Sequence, residues 1–243
     1  MSHGPGLPSE FGDGVLTPFA DSVWTAATPI RFVGMWTPHV MSVIRSRDGR
    51  LILHSPCHPS AQLIEQIAAL GPVAHIIAPN WFHDLYLAEY RRLYPESTFW
   101  GPTVLRRQLG PTLIDQELTE TTRPPWFDEM PHVTLSGLLT FDESMFFHGP
   151  SGTLILADLL MNHSAGPDAP MFTRFMYWFG GLNDRLVTPT YLRWFGWLSN
   201  RAIQSVSKAA QQIETWNPDR LIVGHGRSIK DQAMPQLRLA LKR

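Results

Sequence analysis

Cysteine is nearly absent from this chain of 243 residues, since Cys57 is its only one. An intrachain disulfide is therefore excluded, and the cysteine content does not point to secretion. An excess of one charge is missing too. The formal net charge is −1 and no basic run occurs, which argues against a nucleic-acid partner. The Gly- and Pro-rich start lacks the apolar segment of a signal peptide, so we expect a cytoplasmic protein with a flexible arm at residues 1–20.

Long uncharged apolar runs are also lacking. The aromatic segment, residues 171–198 (MFTRFMYWFGGLNDRLVTPTYLRWFGWL), is rich in Trp and Phe, but charged residues interrupt it. No stretch approaches the ~20 apolar residues of a membrane helix, so no transmembrane segment is expected. The segment fits three roles: helices packed on the domain, a lid over a pocket, or a surface for a partner or for peripheral contact with a membrane.

Several enzyme signatures are missing as well. The chain has no Gly-x-Ser-x-Gly, no phosphate-binding loop and no dinucleotide fingerprint. It has instead 44% hydrophobic and 17% charged residues, enough for a large core. We therefore expect residues 21–243 to form one domain, with an aromatic helical insertion near 168–198.

Local patterns in the first half predict alternating strands and helices. The Asp-Gly turn within RDGR predicts a hairpin of Val40–Arg45 and Leu51–His54. Ser60 is an N-cap signal for the helix AQLIEQIAAL, and VAHIIAP reads as a buried strand. Upstream, Pro29, Gly34 and Pro38 predict turns between short strands. The β-α-β-α-β order is typical of a layered α/β domain.

Later patterns continue in the same way. Three consecutive strands are predicted in HVTLSGL, TFDESMFFHGP and GTLILAD. An amphipathic helix follows at NRAIQSVSKAAQQIETW, then a strand that ends in Gly-His-Gly, then a short terminal helix.

Polar side chains stand where these apolar strands end. The strand in LILHSP ends at His54, and the strand in VAHIIAPN is followed by His83 and Asp84. Asp158 closes TLILAD, and His225 follows the strand in RLIVGHG. Ligands of α/β sheets bind at strand ends, and a buried carboxylate needs a partner. Imidazoles and carboxylates at one sheet edge favour a metal-binding or acid–base site.

Four stretches in this order carry a family resemblance: LILHSP, GPVAHIIAPNWFHDLYLAEY, FFHGPSGTLILADLLMN and DRLIVGHG. The chain resembles the metallo-β-lactamase-like superfamily, and within it an uncharacterised branch, a domain of unknown function. The resemblance implies an αββα sandwich of two mixed β-sheets flanked by helices. It also implies one or two metal ions, commonly zinc, and hydrolysis of an ester, amide, thioester or phosphoester.

The superfamily's His-x-His-x-Asp-His motif is degenerate here. By the resemblance, Asp84 matches the motif Asp, while Asn80, Phe82 and Leu85 stand where the family has histidines. Asp158 matches the bridging Asp and His225 the late His. The resemblance therefore implies that a full two-metal site is absent.

A reduced site is the prediction that remains. One divalent metal, zinc before iron or manganese, would be held by ligands drawn from His83, Asp84, Asp158, His225 and His148. Asp84 and Asp158 are the predicted catalytic residues.

Two functions stay open at this point. The first is a metal-dependent, hydrolase-like enzyme acting on an unknown small molecule with apolar character. The second is a protein without metal that serves as a small-molecule binding or scaffold protein, with a pocket under the aromatic segment. The predicted pocket residues are His54, Asn80, Trp81 and Trp178.

Overall fold

A computed structural model describes residues 12–137, 142–164, 166, 169–182, 184–189 and 200–241. Eleven strands lie within these ranges: β1 Thr17–Ala20, β2 Val23–Phe32, β3 Met35–Arg45, β4 Leu51–His54, β5 Val73–Ile77, β6 Thr98–Pro102, β7 Gln116–Leu118, β8 His132–Leu135, β9 Glu143–His148, β10 Thr153–Ile155 and β11 Arg220–Ile222. The helices of the same ranges are α1 Ala61–Leu70, α2 Leu87–Leu93, α3 Thr103–Leu109, α4 Met171–Phe179, α5 Asn200–Trp216 and α6 Ala233–Leu241.

The strands form two mixed sheets. The larger sheet has the order β1-β2-β3-β4-β5-β6-β7, antiparallel up to β4 and parallel from β4 to β7. The smaller sheet has the order β11-β10-β9-β8, in which only the β10–β11 pair is parallel. Parallel neighbours require crossover connections, and α1, α2 and α3 supply them in the larger sheet.

Three apolar layers hold the two sheets and their helices together. The layer between the sheets includes Ile52, Ile77, Phe146 and Ile155. A second layer lies between the larger sheet and α1–α3, and a third lies between the smaller sheet and α5 and α6. The result is the predicted αββα sandwich, in which strand ends from both sheets meet at one edge.

Several local predictions are confirmed. The hairpin of β3 and β4 forms with Arg45 opposite Leu51. The side chain of Ser60 accepts the Leu63 N–H and caps α1. The amphipathic pattern of α5 matches its observed span of Asn200–Trp216.

The predicted turns at Pro29 and Pro38 are wrong. β2 and β3 form one long antiparallel ribbon in which Pro29 lies opposite Pro38, and only Val33 and Gly34 turn the chain. In antiparallel strands, every second pair of opposite residues makes no hydrogen bonds between the two strands. Two opposite prolines at such a position remove no hydrogen bond from the sheet. This arrangement leaves the Pro38 carbonyl free to serve the site described below.

The predicted N-terminal arm is too long. Residues 1–11 lie outside the described part of the chain, but Thr17–Ala20 form the edge strand β1 and Phe19 is buried. The four-residue, proline-containing strand is too short for a clear alternating pattern. Of the aromatic segment, residues 183 and 190–198 likewise lie outside the described residues, and α4 is its main described element.

No helix of the described residues has the length and apolar character needed to cross a bilayer.

Candidate metal centre

One buried carboxylate lies between two imidazoles at the strand-end edge. Asp158 Oδ2 lies 3.4 Å from His83 Nε2, and Asp158 Oδ1 lies 3.2 Å from His225 Nε2. One ligand atom from each of the three residues lies within 4.8 Å of the others. The three side chains come from the segments after β10, β5 and β11, which the sandwich brings to the same edge.

Both imidazoles are oriented by contacts on their other nitrogen. His225 Nδ1 lies 2.7 Å from the Pro38 carbonyl oxygen, which accepts only, so Nδ1 carries the proton and donates it. His83 Nδ1 lies 2.6 Å from Ser55 Oγ. His83 Nε2 is buried and has no hydrogen-bond partner among the described residues. Such outer contacts are the usual way in which proteins orient metal-binding histidines.

Asn80 occupies one side of the carboxylate. Its Oδ1 accepts the Phe82 N–H at 2.8 Å, which caps the 3-10 turn Trp81–His83. Its Nδ2 donates to Asp158 Oδ2 at 2.8 Å. Asn80 therefore joins the turn that carries His83 to the segment that carries Asp158.

Glu143, which is not among the predicted site residues, supports the loop after β10. Its carboxylate accepts the backbone N–H groups of Ala157, Asp158 and Leu159 at 2.9, 2.9 and 3.0 Å. Burial, followed by the charge of Asp158, raises the pKa of Glu143 to about 7. A glutamate that opens the apolar strand ESMFF was the available signal, because a carboxylate is rarely buried without a role.

His39 and Ser55 were also missed. Ser55 Oγ lies 3.2 Å from His39 Nε2 and also contacts His83, so its hydroxyl bridges the two rings. Ser55 has φ 58°, a left-handed conformation that is uncommon for a serine and follows β4 directly. Burial holds the pKa of His39 well below its usual value, so this ring is neutral.

The pKa values of the three central groups reflect a balance between burial and their mutual contacts. Burial alone would raise the pKa of Asp158, but His83 and His225 outweigh it and hold this pKa well below its usual value. Burial lowers the pKa of His225, and the hydrogen bond and charge of Asp158 more than reverse this, so the net direction is upward. His83 has a lowered pKa because burial outweighs Asp158.

His148, a predicted ligand, does not reach this cluster. Antiparallel pairing places His148 opposite Thr153 at the start of β10, whereas Asp158 follows the end of that strand. Its Nδ1 is instead 2.7 Å from Ser151 Oγ. Proximity of His148 to Asp158 along the sequence was misleading because the two residues lie towards opposite ends of β10.

Asp84 lies next to the cluster but outside the three-residue group. It is half-buried, it ends the 3-10 turn, and it lines a cavity that also reaches Asp158 and His225. Burial raises the pKa of Asp84. The structure therefore places this predicted residue on the pocket wall.

The cavity has a volume of about 280 Å³ and a mainly apolar lining. Ile30, Met35, Met161 and Leu182 contribute to its walls, and His163 also lines it. Of the predicted pocket residues, Trp81 lines it. His54 and Asn80 are buried outside its lining, and Trp178 is exposed on α4, where Tyr177 is the lining residue instead.

A comparison with family profiles matches residues 20–173 to the family described as "Domain of unknown function (DUF4336)". The chain belongs to this family. A comparison of this DUF4336 chain with curated protein sequences gives no significant match.

Solved structures with the same fold are similar to this DUF4336 chain at low sequence identity. A metallo-beta-lactamase from Pontibacter korlensis has a TM-score of 0.62 at 15% identity, covering 94% of this chain and 99% of that one. A putative diflavin flavoprotein A 5 (fragment 1-254) from Nostoc sp. PCC 7120 has a TM-score of 0.65 at 13% identity, covering 95% of this chain and 94% of that one. The FIM-1 metallo-beta-lactamase from Pseudomonas aeruginosa, in its mono-zinc form, has a TM-score of 0.61 at 12% identity, covering 94% of each chain. These similarities confirm the metallo-β-lactamase fold.

Gly224 packs against the cluster with no space for a side chain. A Cβ there would lie 2.8 Å from His83 Cε1 and 2.9 Å from the Ala157 Cα. We expect Gly224→Ala to lower the free energy of unfolding of this DUF4336 chain by ~2 kcal/mol, because either His83 or the β10 loop must move. Urea denaturation measures this loss.

Gly149→Ala is the matched control. A Cβ at Gly149 would meet only the Glu129 carbonyl oxygen at 3.5 Å, an ordinary contact. Its free energy of unfolding should change by less than ~1 kcal/mol. Equal losses in the two variants would contradict the steric role assigned to Gly224.

Proposed function

We propose that this chain is a hydrolase-like enzyme that uses one divalent metal ion held by His83, Asp158 and His225. The supporting observation is the convergence of two Nε2 atoms on one carboxylate, with both Nδ1 atoms engaged elsewhere. This is the ligand chemistry of zinc, and iron or manganese accept the same donors.

The three residues fit an ion in spacing and in hydrogen bonding. Ligand atoms of a tetrahedral zinc ion lie about 3.4 Å apart, because each lies about 2.1 Å from the metal. The observed contacts to Asp158 are 3.4 and 3.2 Å, but they run to its two different oxygens, and one ligand atom from each residue lies within 4.8 Å of the others. The buried His83 Nε2 without a hydrogen-bond partner is the atom that a metal would satisfy.

The hydrogen bonds at the Nδ1 atoms of His83 and His225 also suit a metal held by their Nε2 atoms. His83 Nδ1–H donates to Ser55 Oγ, and the Ser55 hydroxyl then donates to His39 Nε2. His225 Nδ1–H donates to the Pro38 carbonyl. Each chain of donors leaves an Nε2 lone pair directed at the centre, which is the form of imidazole that binds metal.

A divalent ion at a three-ligand site supplies Lewis acidity towards water and towards a carbonyl or phosphoryl group. Asp84 exchanges a proton with the substrate, since it lines the cavity and its raised pKa brings it closer to neutral pH. Asp158 would hold the ion together with both imidazoles. The apolar walls bind a small molecule with a substantial apolar part.

A metal-free binding protein is the second candidate. Asn80 Nδ2 already donates to Asp158, and a protonated His225 would donate to the other oxygen, so the carboxylate is satisfied without an ion. In that case Asp158→Ala would reduce stability and no hydrolysis of any ester would depend on it.

Metal analysis separates the two candidates. Protein purified without a histidine tag and dialysed after incubation with zinc should retain about one ion per chain. His83→Ala and His225→Ala should retain less than ~0.2 ions, because each removes one of three ligands. Elemental analysis by mass spectrometry gives these ratios directly.

His148→Ala is the control, because it removes a buried histidine that lies outside the cluster. It should bind as much zinc as the wild type. A metal content that is low and equal in the wild type and His225→Ala would favour the metal-free protein. Ester hydrolysis that requires added metal and is lost in Asp158→Asn would exclude it.

A further inference from the structure

Helix α4 has its apolar face turned outward. Five of its nine residues are large apolar side chains that are each more than half exposed: Met171, Phe172, Phe175, Trp178 and Phe179. At 100° per residue they occupy an arc of roughly 120°. The residues buried on the opposite side are Thr173 and Tyr177. A helix on a water-facing surface normally has the reverse arrangement.

Two hydrogen bonds hold the helix in this orientation. Thr173 Oγ1 accepts the Trp36 N–H at 3.2 Å, and the Tyr177 hydroxyl donates to the Trp36 carbonyl at 2.8 Å. Both buried polar side chains of α4 therefore bond to the backbone of β3. Because these hydrogen bonds fix the Thr173 and Tyr177 side of α4 against β3, the apolar side of the helix faces outward.

Other exposed apolar side chains extend this surface. Phe32 and Val33 form the tip of the β2–β3 hairpin, and the neighbouring Gly34 packs against the Phe172 ring. The Phe32 ring lies 6.1 Å from that of Phe82, which adjoins Trp81. We call the set the apolar face: Phe32, Val33, Trp81, Phe82 and Leu85 with the five residues of α4.

Three arginines and two aspartates lie around this face: Arg31, Arg174 and Arg185, with Asp84 between Phe82 and Leu85 and Asp184 beside Arg185. Arg174 is the only charged residue of α4, and Arg31 precedes Phe32 on the hairpin. Both of these arginines are exposed. Arg185 bonds to the Gly181 carbonyl beyond the end of α4, and its exposed neighbour Asp184 is an acid in that region.

We infer that the apolar face docks on an anionic lipid bilayer. Phe, Trp and Met side chains that protrude from a helix and a hairpin tip, flanked by arginine, are typical of interfacial membrane binding. A bilayer accepts protruding side chains without a shaped partner, and its phosphates complement Arg31 and Arg174. This inference needs no metal and is independent of the proposed hydrolase activity.

The cavity opens onto the same face. Phe32, Trp81, Phe82 and Leu85 both line the cavity and belong to the apolar face. A molecule dissolved in the bilayer would therefore pass from lipid to cavity between apolar side chains. Docking thus supplies the cavity with ligands of low solubility in water.

Vesicle co-sedimentation tests the inference. The full chain should bind vesicles of phosphatidylcholine with one-third phosphatidylglycerol, and bind pure phosphatidylcholine less tightly. Phe175→Ser combined with Phe179→Ser should weaken binding at least about tenfold, because two exposed rings that would enter the bilayer are lost. Arg174→Gln should weaken binding about fivefold at low salt, as expected for one basic residue.

Leu239→Ser is the matched control, because Leu239 is an exposed apolar residue on α6, which covers the other sheet. It should bind vesicles like the wild type. Circular dichroism verifies that each variant is folded. Absence of vesicle binding, binding that does not depend on phosphatidylglycerol, or binding unchanged in the double phenylalanine variant would overturn the inference. The inference would also be overturned if the wild type formed a dimer, bound no vesicles, and became monomeric in the double phenylalanine variant. In that case the apolar face would pack against a second copy of the chain.

Discussion

Glu143→Ala should lower the free energy of unfolding by ~4 kcal/mol or more, because it leaves three buried backbone N–H groups without an acceptor. The carboxylate accepts from Ala157, Asp158 and Leu159, and the side chain is fully buried. These three amides begin the loop that presents Asp158. The variant should therefore lose zinc binding as well as stability. Urea denaturation and elemental analysis measure the two effects.

Two further substitutions separate hydrogen bonding from charge. Glu143→Gln retains one acceptor oxygen, so its stability should lie between those of the wild type and the alanine variant. Glu120→Ala removes an exposed glutamate that pairs with Lys208, and it should cost less than ~1 kcal/mol. A loss in Glu143→Ala no greater than that in Glu120→Ala would refute the proposed support of the β10 loop.

The second large effect concerns pH. Burial, followed by the charge of His83, lowers the pKa of His54 to about 3. The unfolded chain therefore binds a proton at this residue below pH ~6.5 while the folded chain does not, so the stabilising contribution of neutral His54 is lost as pH falls. Between pH 6.5 and 5 this loss amounts to ~2 kcal/mol.

His54→Leu should remove that part of the pH dependence. We expect the decrease in unfolding free energy between pH 7.5 and 5 to be ~2 kcal/mol smaller in the variant than in the wild type, measured on metal-free protein. Glu143 and His225, whose raised pKa values act in the opposite direction, are present in both proteins and cancel from the comparison.

Phe146→Leu is the control for the pH experiment. Its ring lies 5.4 Å from that of His54, so the substitution disturbs the same packing without removing a titrating group. It should lower stability equally at both pH values. If His54→Leu and Phe146→Leu show the same pH dependence as the wild type, His54 does not carry the effect.

Elements with strong local signals were predictable. The Asp-Gly turn defined the β3–β4 hairpin, Ser60 capped α1, and the 3.6-residue period located α5. Each of these signals depends on residues close together in the sequence, so it can be recognised without knowledge of the tertiary contacts. The long β2–β3 ribbon was not predictable, because Pro29 and Pro38 are tolerated only through their mutual register.

The candidate site was predictable in part. His83, Asp158 and His225 follow apolar strands, and strand ends of a layered α/β domain meet at one edge. Ser55, His39 and Glu143 gave weaker signals, since their contacts arise only when the two sheets pack against each other. The register of β9 against β10 likewise decided that His148 lies away from the cluster.

By itself, the sequence determined the layered α/β class, the strand ends that carry polar side chains, and the concentration of aromatic residues in 171–198. These properties depend on periodicity and composition, which are local. The tertiary structure alone decided which imidazoles share Asp158, which backbone amides Glu143 accepts, and which side of α4 faces outward. Those outcomes depend on contacts between residues far apart in the chain, such as Trp36 with Thr173 and Pro38 with His225, which no local pattern encodes.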